Sequence, residues 1–96
     1  MATTLKTLNK VMRDSKIFSQ TKALYTYLWI RADNKSGLSY PPKEQILKEV
    51  NLTEKFFNQG IAVLKSKDYI RDTIITKKDD KGNNYNLVAF DLNYYE

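Results

Sequence analysis

Apolar residues recur at Phe57, Ile61 and Leu64, a spacing that turns one side of a helix inward and leaves Glu54, Lys55, Asn58 and Gln59 on the others. Thr53, just ahead, carries the hydroxyl that caps such a helix. Upstream, Ile46, Leu47 and Val50 form a shorter stripe after Pro42, whose missing N–H would have no partner at a helix start. Asn51 stands between the two stripes, where the backbone must turn, and Asn tolerates the left-handed conformation. The pattern between Tyr40 and Ile70 therefore predicts a short helix, a tight turn and a second helix. Farther upstream, Leu24, Tyr27, Leu28 and Ile30 supply the buried side of another helix. Ser19 is its expected N-cap, Phe18 is placed to staple onto Ala23, and Asn34-Lys-Ser-Gly37 is its expected end. Leu5, Leu8 and Met12 share helical spacing, with Lys6, Lys10 and Arg13 on a different face, so residues 1–16 read as an amphipathic helix or an extended arm.

Beyond Leu64 the period changes. Tyr69 to Thr76 takes strand character from Ile70, Ile74 and Ile75. A polar turn, Lys77-Lys-Asp-Asp-Lys-Gly-Asn-Asn84, leads to a second strand from Tyr85 to Leu92 with Val88, Phe90 and Leu92 on one side. Helix, turn, helix and hairpin in that order predict an α+β winged helix-turn-helix, with three to four helices and a two-stranded β-hairpin wing. Residues 1–16 form the basic arm or short helix, 17–92 the winged domain and 93–96 a tail. The abrupt ending at Asn93-Tyr-Tyr-Glu96 also fits a domain normally followed by further chain.

Composition narrows the chemistry. Ninety-six residues, 42% of them hydrophobic, close one modest core but do not enclose a large substrate cavity. With no cysteine and no histidine, thiolate chemistry, histidine acid–base catalysis and most transition-metal sites are excluded. No enzyme activity, cofactor or metal is expected. No apolar stretch approaches the ~20 residues of a membrane span, and the expectation is a cytoplasmic protein without a membrane partner. The net charge is +5, and it is unevenly distributed. Residues 1–35 hold seven basic and two acidic residues, while residues 36–96 hold nine of each. A polyanion partner fits that excess, as does the ordinary charge of a soluble domain.

Several segments carry a resemblance: Lys22-Ala-Leu-Tyr-Thr-Tyr-Leu28, Tyr40-Pro41-Pro42, Ile46-Leu-Lys-Glu-Val-Asn-Leu52, and Thr53, Phe56, Phe57, Ile61, Leu64, Asp68, Tyr69 and Ile70 in unbroken register. From about Ile17 to Leu92 the chain resembles the winged-helix domain at the front of phage replisome organisers and plasmid replication initiators. The resemblance implies a double-stranded DNA partner, a setting in phage or plasmid replication or partition, or in transcriptional repression, and a possible replication or partition protein partner. The chain departs from the family's pattern at several positions. Pro42 replaces a capping Ser, Phe56 a small polar residue, and Ala62 and Val63 polar ones; Asn58 and Gln59 stand where relatives often carry Arg.

The candidate contacts follow from side-chain chemistry. Asn58 and Gln59 are amides able to pair bidentately with adenine in the major groove, or are simply solvated. Lys55 reaches a phosphate or a guanine, while Glu54 complements the helix dipole. Lys77, Lys78, Lys81, Asn83 and Asn84 suit the phosphate backbone, although Asp79 and Asp80 dilute the charge of that loop. Lys6, Lys10, Arg13 and Lys16 are the densest basic group and suit added phosphate or minor-groove contacts, or mere solubility. Phe56 and Val63 fall outside the buried stripe and mark an expected oligomer or partner interface, with homo-oligomers on repeated half-sites. The alternative reading is a winged helix kept as a protein-interaction module without tight DNA binding.

Overall fold

Local chemistry starts and stops the elements. The computed structural model describes residues 5–33 and 36–92, with side chains from Thr7 onward. The described elements run α1 (Leu5–Arg13), α2 (Ser19–Ile30), β1 (Leu38–Ser39), α3 (Lys43–Val50), α4 (Glu54–Ser66), β2 (Arg71–Lys78) and β3 (Asn84–Asp91). At the start of α4 the Thr53 hydroxyl accepts the Phe56 N–H at 3.2 Å, the expected cap. Asn51 ends α3 with φ 62° and ψ 50°, the left-handed residue the turn requires. Pro42 lies one position earlier than expected, as the N-cap of α3. The fold is α+β.

The core is a helical cluster closed by the base of the sheet. Val11, Ile17, Leu24, Tyr25, Leu28, Ile46, Phe57, Ile61, Leu64, Ile70 and Leu92 are its buried members. Residues 5–13 are helical, but Val11 is buried and Met12 exposed, so the inward stripe of α1 differs from the expected one. In α2 the fully buried ring is Tyr25, whereas Ile30 is 66% exposed. This helix is apolar on nearly every side, and burial is decided by what packs against it. Ser19 is the first residue of α2 rather than its cap, and Phe18 makes no staple: its ring is 82% exposed and Ala23 is exposed too. The helix ends at Ile30 with Arg31 as C-cap, before the expected stop. Gly37 (φ 73°) shapes the turn that follows, while Asn34 and Lys35 lie outside the described residues.

The sheet corrects the two-stranded expectation, because β1 pairs with β3 (Leu38↔Asp91, Ser39↔Phe90) and gives the order β1-β3-β2, all antiparallel. Two residues are too few to show an alternating pattern. β2 and β3 pair in continuous register from Arg71↔Asp91 to Lys78↔Asn84, so Lys77 and Lys78 belong to the strand and the turn shrinks to residues 79–83. There Asp79 uses its carboxylate to accept the N–H groups of Lys81 and Asn83, both at 2.9 Å, and Gly82 takes φ 83°. Val88 shares a face with Phe90 and Leu92 as expected, yet it is 62% exposed and sits opposite Ile74, 68% exposed. The hairpin extends past the core, so only its base is buried.

Candidate nucleic-acid interface

An α-helix turns about 100° per residue, and Phe57, Gly60, Ile61 and Leu64 face inward on α4. Lys55, Gln59, Ala62 and Ser66 therefore point directly away from the core, and all four are exposed. Asn58, also exposed, lies on the flank of Lys65, whose ammonium pairs with Asp72 at the base of β2. Phe56 and Val63 occupy the opposite flank, beside the start of α2. There Phe18, Thr21, Phe56, Gly60 and Val63 line most of an uncharged hollow of about 250 Å3. Phe56 is 46% exposed, but Val63 is half-buried against the core, so it is less free than its helical position alone suggested.

Ion pairs set the charge on this surface. Lys43, at the start of α3, bonds Glu54 in the first turn of α4 at 2.6 Å and lies 5.9 Å from the Phe57 ring centroid. The Lys43 hydrogen bond holds the Glu54 carboxyl below the ordinary glutamate range. This pair ties the beginnings of α3 and α4 together. Three residues before Lys43, the Tyr40 hydroxyl accepts a hydrogen bond from Lys77 of β2 at 3.3 Å, and the same ammonium stands 4.9 Å from the Tyr40 ring centroid. Lys77 thus joins the hairpin to the segment leading into α3, and Lys43 joins the start of α3 to the start of α4. Tyr40 escaped the sequence reading, since a tyrosine ahead of Pro-Pro carries no signal of a lysine 37 positions later in the chain.

Not every expected contact gathers there. Lys77 and Lys78 alternate to opposite faces of β2, so only Lys77 meets Tyr40. Lys81 and Asn83 are exposed in the turn, and Asn84 opens β3. Lys10, Arg13 and Lys16 are exposed on α1 and the turn after it, while the side chain of Lys6 lies outside the described residues. That basic group belongs to the other end of α4. Asp14, between Arg13 and Lys16, takes a hydrogen bond from Tyr69 at 3.2 Å and pairs with Lys67 at 3.2 Å, both just past the end of α4. At 1.5 Å per residue, the 13 residues of α4 separate its ends by about 20 Å.

Among the described residues, no cluster of His, Cys, Asp or Glu could hold a metal ion, and no helix is long and apolar enough to cross a membrane. No protein-family model and no curated protein matches the chain.

Proposed function

We propose that the chain is a winged helix-turn-helix protein that binds double-stranded DNA sequence-specifically, without enzymatic activity. α4 enters the major groove and the β2–β3 hairpin lies on the neighbouring backbone. The observation that carries this reading is the solvent face of α4: Lys55, Asn58 and Gln59 stand free of the core on a capped helix that follows a left-handed turn. The ion pair of Lys43 with Glu54 and the contact of Lys77 with Tyr40, which tie α3 to α4 and the hairpin to the segment before α3, support that arrangement. The resemblance to replisome organisers and replication initiators supports a cytoplasmic role in phage or plasmid replication or partition, with transcriptional repression next. Pairs of copies on repeated half-sites would enlarge the small footprint of one domain.

Fluorescence anisotropy on duplex DNA over a salt series tests it. Lys55, Lys77, Lys78 and Lys81 together predict a log–log slope of about −3 to −4, because each neutralised phosphate contributes roughly −0.9. Asn58→Ala and Gln59→Ala are expected to cost about 1–3 kcal/mol on the preferred site and little on random DNA. No binding at low salt, with the fold intact, would instead favour the protein-interaction module. The uncharged hollow beside Phe56 is the observation that keeps that second reading open.

A further inference from the structure

Lys77 and Tyr40 come from elements far apart in sequence, and the chemistry of their contact leaves capacity for a third group. The ammonium has three N–H donors and no acceptor, and a phenol has one donor and an acceptor oxygen. With the Tyr40 oxygen accepting from Lys77 at 3.3 Å, the phenolic proton must point elsewhere, and two ammonium protons remain. The position of the ammonium 4.9 Å from the ring centroid restrains a side chain that would otherwise be mobile. Tyr40 is exposed, and beside it Arg31, Asp33, Pro41 and Pro42 complete the lining of an open hollow of about 430 Å3. Within that lining, Asp33 directs its carboxylate to the N–H and hydroxyl of Ser36, both at 2.9 Å.

Resting on the DNA-binding reading, we propose that Tyr40 and Lys77 form one phosphate-gripping unit in which the phenol O–H and the ammonium donate together to a single backbone phosphate of duplex DNA. The unit lies at the joint of hairpin and helix pair, so it fixes the hairpin's distance from α4 on the duplex. It reads no bases, because both donors address phosphate oxygens. Lys78, on the opposite face of β2, is not part of it.

Tyr40→Phe keeps the ring and removes only the hydroxyl, and is expected to weaken binding about tenfold to a hundredfold, as for loss of one hydrogen bond to a charged acceptor. The loss should be equal on preferred and random duplexes, with an unchanged salt slope. Lys77→Ala should reduce the slope magnitude by about 0.9. In the Lys77→Ala background, Tyr40→Phe should cost less than about twofold, the non-additivity of groups that act together. Thermal melts of each variant confirm the fold. Wild-type binding with Tyr40→Phe unchanged, or full additivity of the two substitutions, overturns the unit and leaves DNA binding standing. Absence of wild-type DNA binding overturns both.

Discussion

Gly60 shows how one residue sets the distance between two helices. A Cβ built there would lie 3.0 Å from Leu24 Cδ2 and 3.4 Å from Thr21 Oγ1, and Leu24 is fully buried. The missing side chain lets α2 and α4 approach closely, which in turn brings Phe18 and Phe56 to the rim of one hollow. Gly60→Val is expected to destabilise the domain by about 1–3 kcal/mol, since extra atoms in a packed contact force the neighbours off their rotamers. Urea denaturation measures it. From the sequence, Gly60 was one position between two helical repeats, with nothing to say that another helix lay against it. Phe57, Ile61 and Leu64 were legible because their period alone selects a face, and Asn51 because few residues accept its backbone conformation.

At the scale of elements, the attachment of α1 depends on a polar junction as well as on Val11. Lys22 of α2 donates to the carbonyl of Met12 at 2.8 Å, near the end of α1. Asp14 accepts the Lys16 N–H at 2.9 Å, and that bond, with the Lys67 and Tyr69 side chains, holds its carboxyl below the ordinary aspartate range. A carboxyl depressed in the folded state stabilises the fold above its unfolded pKa, near 3.9, and loses that contribution as pH falls toward the lowered folded value. Asp14→Asn should therefore lower the melting temperature at neutral pH and leave it nearly unchanged at the acid end of the series. Equal effects at pH 7 and at the acid limit would mean that the charge is not what holds α1. Periodicity could show that residues 1–16 form a helix or an arm, but not which; the choice follows from Val11 packing in the core and from Asp14 meeting residues after α4.

For the whole molecule, the two flanks of α4 differ in what they meet. One flank meets the hairpin through Lys65 and Asp72, while the other carries the exposed rings of Phe56 and Phe18. A second copy seated on those rings would leave Lys55 and Asn58 free for DNA, while Gln59 borders the same hollow, and removing apolar surface from water returns about 25 cal/mol per Å2. Two rings would make only a weak contact, one expected to become effective when adjacent half-sites raise the local concentration. Phe18→Ser combined with Phe56→Ser should abolish cooperative binding to a two-site duplex while single-site affinity and melting temperature change little; sedimentation on both duplexes reads the outcome. Val63 is left intact because it is half-buried against the core. The order of elements, the capped α4 and its outward polar face were determined by the sequence itself, because period, capping chemistry and turn preference are local properties of the chain. The third strand, the inward turn of Tyr25 rather than Ile30, the separation of Lys77 from Lys78 and the meeting of Lys77 with Tyr40 were decided only by the tertiary structure. Each of these depends on which surfaces approach across long stretches of chain, and a side chain's own neighbours in sequence carry no record of that approach.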